Sequence, residues 1–551
     1  MYTLCADFET TSSYQYEIEG ETKVYLWGVM SLEKGNFTYG VNIKEFFDLL
    51  ISIHSDLTVY FHNLSFDGDF IIWGLLKYGF KPTYEDVLQE GEFTHITSDM
   101  GQIYQIKMCA NGNEIVFQCS YKLLPVSIKD LGKLVGVSKL DETYDYNCIR
   151  NYRSRDEVDE ETVHYLHNDI EIMRRAILTA QEQGLTHLTL AGSAYGCWKE
   201  TQYVFEKFDC VKPLSDYCNK VIDISYRGGI TQCNPEIAHK MQYRLCSYDV
   251  NSLYPSVMLA NPMPYGEPQL VKERTKNRIH LYHIVVAYAS VKEGYQPFIP
   301  SKTKRFGAYE YGRYIEGVEL ALWQDEFDLF NQYYDSDYDV VKILAFKKKD
   351  KIFDKYFAKW KNIKETTNNP VEKKIAKLMM NSLYGKFGSN DDKFSKHIKY
   401  SDENTIEYEL VDSPQRYYYR AIASWITSCA RCVLVRAIEQ NSSRFLYCDT
   451  DSIYLSGVSK PDLPIDDHLL GYWGYEGDYP KAMFIKAKCY MKTESDGTIV
   501  TRVAGLPKKA QGMLNYDNFK EGVTLKGVKL QHKRVKGGII LRETDFTIKG
   551  D

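Results

Sequence analysis

The stretch Phe445-Leu-Tyr-Cys-Asp-Thr-Asp-Ser-Ile-Tyr-Leu455 sets two carboxylates, Asp449 and Asp451, between short runs of strand-forming apolar residues. The pattern predicts a tight β-hairpin with an acidic tip. In extended backbone, residues i and i+2 point to the same side, so the two acids repel unless something positive lies between them. Hard oxygen donors suit magnesium or manganese. The competing reading is a solvated turn, because Asp is common at loop tips. The hairpin belongs to one unit among several, since 551 residues are too many for one core and three or more units are expected.

A formal net charge of −6 argues against a protein that merely coats nucleic acid. The charge is uneven. Between Lys342 and Lys377 there are twelve Lys against four acids, and between Lys520 and Arg542 seven Lys or Arg against one Glu. Local basic stretches on an acidic chain suit an enzyme that grips a backbone in chosen places, or else solvated helix faces. The 45 Tyr residues supply flat faces for stacking on bases or sugars. The 13 Cys include a single CxxC, Cys429 and Cys432, with no second pair to complete a zinc site. Reduced thiols in a reducing cytoplasm are expected. The sequence shows neither a charged leader nor a stretch judged long and apolar enough for a bilayer, so a soluble intracellular protein is expected.

Residues 1–30 read as two strands, with Asp7 and Glu9 on one face of the first. Two acids projecting from a buried strand end are costly unless they bind metal. A strand from Thr58 runs into a helix whose start carries Asn63 and Asp67. In the helix around Val163–Ile170, Tyr165 and Asp169 share a face. The set Asp7, Glu9, Asp67 and Asp169 can hold two metals that activate a water and stabilise the leaving oxygen of a phosphodiester, with Tyr165 orienting the water. Lys139 is a candidate to steady the scissile phosphate. Asp141 is a candidate further ligand, an ion pair with Lys139 being the competing reading.

Tyr226-Arg227-Gly228-Gly229 pairs an aromatic and an Arg with glycines that let backbone approach a phosphate, a candidate template contact. The segment Ser247–Pro255 reads as a strand leaving Asp249 at its end and turning into a helix near Ser252. That arrangement supplies a metal ligand and free N–H groups for a triphosphate, with Tyr254 stacking beneath a nucleotide sugar. Two helices separated at Thr366–Pro370 follow. On the second, Lys373, Lys377, Asn381 and Tyr384 recur on one face, where lysines meet triphosphate and Tyr384 meets the base; Lys364 on the first helix joins them. Residues 389–415 read as a projecting hairpin. Thr427 and Arg431 lie on one side of a helix suited to primer phosphates, and Lys488 and Tyr490 share a face of an alternating strand.

Asp249-x-x-Ser-Leu-Tyr-Pro, Lys377-x-x-x-Asn-Ser-x-Tyr-Gly and Tyr447-x-Asp-Thr-Asp-Ser, in that order, resemble the protein-primed branch of family B DNA polymerases of small linear-genome bacteriophages. The three N-terminal acidic motifs, Tyr226–Gly229, Thr427-x-x-Ala-Arg431 and Lys488-x-Tyr490 match as well, so the resemblance spans nearly the whole chain. It implies an α/β multidomain fold: a ribonuclease-H-like 3′-5′ exonuclease (1–189), a palm in two parts (190–260 and 415–505), fingers (351–389) and a thumb (506–551). Two insertions complete it, one engaging a terminal protein (261–350) and one linked to processivity and strand displacement (390–414).

The resemblance further implies that Asp249, Asp451 and the Val250 carbonyl hold the polymerase metals, with Asp449 in a lesser role. Lys364 and Lys377 would neutralise the triphosphate, while Tyr254 and Tyr384 line the nucleotide pocket, Tyr254 excluding a 2′-OH. Ser120, Asn63 and Phe66 would hold a frayed primer end. Ser252, Asn381 and Thr450 would join the DNA contacts. The implied cofactor is Mg2+, two per active site, with Mn2+ as a substitute. The implied partners are primer-template DNA, dNTPs and a terminal protein bound as a heterodimer at initiation, the chain being otherwise monomeric, without a membrane, in the host bacterial cytoplasm. Asp69 departs from the family's usual small residue. A reverse transcriptase would share the acidic palm motifs but not the N-terminal set.

Overall fold

The computed structural model describes residues 2–85, 87–140, 149–201, 213–303, 309–389, 394–402, 404–413 and 418–550. Two large sheets, each built around one of the acidic motifs, carry the architecture.

The first sheet has eight strands, all from the N-terminal part of the chain. Its centre is Tyr2–Thr10, antiparallel to Val24–Ser31 on one side and parallel to Leu57–Phe61 on the other. Leu57–Phe61 in turn runs parallel to Asn113–Cys119. Burial on both faces explains why these strands read as apolar runs. The two-strand reading of residues 1–30 missed the helix Ser13–Glu19, capped by Ser12 and closed by Gly20 at φ 72°. The long helix Glu160–Glu182 lies against the sheet at Gly28, where a Cβ would come within 2.9 Å of both Ile170 and Leu166 side chains. A side chain there would force both of them to move.

The second sheet has seven antiparallel strands, with Met241–Val250 between Trp473–Lys486 and Ser452–Ser456. Phe445–Asp449 and Ser452–Ser456 form the expected hairpin. The helix Arg420–Gln440 packs among buried residues of the helices Leu253–Ala260 and Pro370–Phe387. Contrary to expectation, it is long and apolar enough by length and composition to cross a membrane, but 89% of its most apolar window is buried inside the fold.

Between the two halves of this unit, residues 263–349 form a separate four-stranded sheet with the helix Gln324–Tyr333. The helical pair is Asp354–Thr366 and Pro370–Phe387, the latter started by Asn369 capping the Val371 and Glu372 amides with Pro370 at its first position. Phe394–Ser401 and Ile406–Asp412 pair as a two-stranded hairpin, and Thr524–Val535 with Gly538–Thr547 form another near the C-terminus. All eleven described cysteines are free thiols, as the composition implied.

Candidate active sites

The hairpin site is assembled by register. Asp249 forms the last pair of its strand with the hairpin, opposite Ser452, and the Val250 amide donates to the Asp451 carbonyl at 2.8 Å. The loop between the paired strands is only Thr450-Asp451, with Thr450 in left-handed backbone at φ 62°. Asp451 therefore lies in the turn, not on a strand, and the expectation of two acids on one extended face is corrected. The positive charge expected between them is, for Asp449, a lysine: Lys488 Nζ bonds both its carboxylate oxygens at 2.8 and 2.9 Å. Thr231 donates a further bond to Asp449 at 2.9 Å.

Lys488 reaches Asp449 because it occupies the turn before the strand Cys489–Thr493, at φ 55°, with its amide donating to the Tyr447 hydroxyl at 2.9 Å. It is thus a turn residue rather than a strand residue. Tyr490 packs on Tyr447, Tyr454 and Phe484.

Among the described residues no salt bridge holds Asp249 or Asp451. Burial, then the Asp451 charge, then Glu476 push Asp249 up to about 7, with Lys377 pulling weakly the other way. Burial also raises Asp451. Asp249 Oδ1 is buried without a hydrogen-bond partner. An unsatisfied carboxylate oxygen beside a second unneutralised acid fits a divalent cation. Among the described residues no group of three or more His, Cys, Asp or Glu forms a ready-made metal cage. Two carboxylates and a backbone carbonyl would need oxygens from a substrate to complete a shell.

Within reach of the Asp451 charge, the Tyr254 and Tyr384 rings stack with centroids 4.1 Å apart and planes at 20°. Ser252, at φ 52°, starts the helix that carries Tyr254. Lys377 and Asn381 are exposed on the face that also carries half-buried Tyr384, and Lys364 is half-buried near the end of its helix.

The N-terminal carboxylates converge through the same kind of register. Asp7 pairs with Gly28 across the sheet, which is where the helix bearing Asp169 makes its close approach. Asp67 opens the helix Asp67–Lys77, where the axial dipole favours an acid, after the left-handed turn at Asn63. Burial and then Asp169 raise Asp7 to about 7. Burial and then Asp7 raise Glu9 and Asp67 well above their ordinary range. Lys139 pairs with Asp169 at 3.3 Å, and Tyr165 is buried beneath its ammonium, 5.7 Å from it. A crowded acid set with one lysine fits divalent cations. Asp141 lies outside the described residues.

Several expected contacts are interior. Ser120 is buried, bonding His62 Nδ1 at 3.0 Å and donating to the Phe61 carbonyl. Phe66 is half-buried against Phe70 and His532. Arg227, Thr427 and Arg431 are buried and not presented as a phosphate-binding surface. Thr427 donates to the Ser424 carbonyl at 3.0 Å, whereas the two arginines share Glu326, which the sequence reading passed over: it accepts from Arg227 at 2.7 Å, bidentately from Arg431 at 2.8 and 2.9 Å, and from Ser428 at 2.9 Å. Burial pushes Glu326 up, but the guanidinium groups outweigh it and hold the acid at about 2. Its signal was a lone acid in register with Leu329, Phe330 and Tyr333 on the buried face of its helix. Tyr226 is half-buried, its hydroxyl filling the space where Gly388 lacks a Cβ. Gly228 has open space around its missing Cβ, whereas a Cβ at Gly229 would lie 2.7 Å from the Thr450 methyl.

A family model described as DNA polymerase type B, organellar and viral, matches residues 137–468. The DNA polymerases of Bacillus phages PZA and phi29 are each 32% identical to this chain over 98% of it, covering 99% and 98% of their own lengths. That of Streptococcus phage Cp-1 is 29% identical over 98% of both chains. Among solved structures, phi29 DNA polymerase complexed with primer-template DNA superposes with a TM-score of 0.90 at 30% identity, over 99% of this chain and 100% of that one. The ternary complex of the same polymerase with primer-template DNA and incoming nucleotide substrates gives 0.90 over 100% of each chain.

Proposed function

This chain belongs to the organellar and viral type B DNA polymerases, and on that premise we propose that it replicates a linear bacteriophage genome by protein-primed synthesis with 3′-5′ proofreading. It is a multidomain α/β DNA polymerase with exonuclease and polymerase domains. The reaction proposed for the hairpin site joins the α-phosphate of an incoming dNTP to a primer 3′-hydroxyl, or at initiation to a terminal-protein hydroxyl, with pyrophosphate leaving.

The observation that carries this reading is the meeting of Asp249, at the end of its strand, with Asp451 in the adjoining hairpin turn, neither in a salt bridge among the described residues, while Asp449 is neutralised by Lys488. Asp249, Asp451 and the Val250 carbonyl would hold Mg2+, which when bound lowers the cost of charge on the reacting phosphate and attacking oxygen. Lys377 and Lys364 would neutralise the triphosphate. The stacked Tyr254 and Tyr384 would form the floor of the nucleotide pocket, where a 2′-hydroxyl meets Tyr254. Asp7, Glu9, Asp67 and Asp169 would hold the cations of the exonuclease, with Lys139 and Tyr165 beside the phosphate and water.

The segment boundaries for exonuclease, palm, fingers, thumb and two insertions belong to this proposal, as do a terminal-protein partner at 261–350 and action in the host cytoplasm. The test is primer extension on a single-primed circle, with and without a terminal protein. Asp451→Ala should abolish incorporation and spare degradation of single strands; Asp7→Ala with Asp67→Ala should do the reverse. Incorporation that survives Asp451→Ala would sink the site assignment.

A further inference from the structure

Glu326 belongs to the inserted sheet unit, remote in sequence from every acidic motif, yet it is 1% exposed at a junction of three segments. It comes from the helix Gln324–Tyr333, Ser428 and Arg431 from the helix Arg420–Gln440, and Arg227 from the Tyr226–Gly229 loop. Arg431 uses two edges of its guanidinium at once. One edge is held by both oxygens of Glu326; Nη1 donates to the Arg227 and Gly228 carbonyls at 2.6 and 3.1 Å. The planar fork makes the direction of one edge dictate that of the other.

The loop so held continues into the catalytic hairpin. Gly229 lies against Thr450, the Thr450 amide donates to the Ile230 carbonyl at 2.8 Å, and Thr231 Oγ1 donates to Asp449 at 2.9 Å. A continuous path of close contacts thus runs from a carboxylate in the insertion to the tip that carries Asp451. We propose that Glu326 is a positioning residue for polymerisation: by orienting Arg431 it fixes the Tyr226–Gly229 loop, and through that loop the Thr450-Asp451 turn. This rests on the assignment of Asp249 and Asp451 as the polymerase site. It also gives the insertion a direct mechanical connection to that site.

Glu326→Gln keeps the volume but removes the charge that orients two buried guanidinium groups. The expected result is a fall in kcat for nucleotide incorporation of about 10²-fold, the usual consequence of about 1 Å of misplacement. KM for dNTP should change little, because Tyr254 and Lys377 are untouched. The Mg2+ concentration for half-maximal incorporation should rise, while degradation of single strands keeps its rate and its Mg2+ requirement. Glu326→Asp should recover part of the rate. Ser428→Ala, which removes one bond to Glu326, should give a smaller loss in the same direction and serves if Glu326→Gln does not fold.

Three outcomes would overturn the inference: wild-type incorporation in folded Glu326→Gln, parallel loss of incorporation and degradation in both variants, or a change in dNTP KM alone. If incorporation is insensitive to Asp451→Ala, the site assignment itself fails. Incorporation that needs Asp451 but ignores Glu326 refutes only the positioning role.

Discussion

Asp449 and Asp451 stand two residues apart and meet different surroundings. Asp449 ends a strand under Lys488, while Asp451 sits in the turn beside Asp249, which no cation among the described residues bonds. Asp249 titrates near 7 because burial and the neighbouring acid disfavour its charge. Protons and a divalent cation therefore compete for it. Incorporation at limiting Mg2+ should rise with pH through about 7, and raising Mg2+ should move that midpoint down; pH–rate profiles at two Mg2+ concentrations check this. Lys488→Met should leave Asp449 as a third unneutralised acid at the tip and slow incorporation by about tenfold, with degradation unchanged, the loss of one preorganised charge at such a site costing at least that much. Paired single-turnover assays of the two activities would decide.

At the level of elements, glycine positions determine how closely acids can approach. Gly28 lets the helix Glu160–Glu182 lie on the strand opposite Asp7. Gly28→Val puts methyl groups where Ile170 and Leu166 already are, an overpacking of about 1–3 kcal/mol, and should lift Asp169 away from Asp7. Degradation should fall by tenfold or more, since about 1 Å of misplacement costs about 10²-fold, while primer extension persists; assaying both on one preparation separates this from general unfolding. The helix Pro370–Phe387 is legible from sequence throughout: an Asn cap, Pro at its first turn, and a polar stripe of Lys373, Lys377 and Asn381 that the structure leaves exposed. Thr427 and Arg431 show the opposite case. Their helical spacing read as a polar face for primer phosphates, but both side chains are buried, Thr427 bonding the Ser424 carbonyl and Arg431 bonding Glu326, and a buried hydrogen-bonded face has the same spacing as a binding surface.

Across the molecule, three distant segments close on one another around Asp69. Arg534, from the C-terminal hairpin, bonds Asp69 at 2.8 Å and lies over the Tyr408 ring of the hairpin Phe394–Asp412. In that same hairpin His397 stacks on Tyr84 with centroids 3.5 Å apart. Asp69 is 2% exposed, and burial lifts it to about 6 against the pull of Arg534. Arg534→Ala leaves a buried acid unpaired, a loss of up to about 3–5 kcal/mol, whereas the double change with Asp69→Ala removes the orphan and should recover much of it; a lower Tm for the double variant than for Arg534→Ala would contradict this. Stability of the cation-free protein should also depend on pH. Asp7, Asp69 and Asp249 have folded pKa values raised to about 7, 6 and 7, so the folded chain binds protons more tightly than the unfolded one. That stabilisation is present below about pH 4 and is lost as pH rises to about 7. Thermal melts at pH 5 and pH 7.5 should show the fall, and Mg2+ should reverse it.

Short spacings carried what depends on local geometry: the acidic hairpin, the helix after Asp249, the Lys377–Tyr384 face and the order of acids that marks the family. Each is set within a few residues, where backbone periodicity alone decides which side chains are neighbours. Long-range pairing was beyond that reach. That Asp449 is neutralised by Lys488, that Arg227 and Arg431 are interior, and that Glu326 supplies their carboxylate follow from sheet register and helix packing between segments far apart in the chain. A lone Glu on an apolar helix face announces that a partner exists; which charge meets it is settled when burial makes an unpaired one too costly.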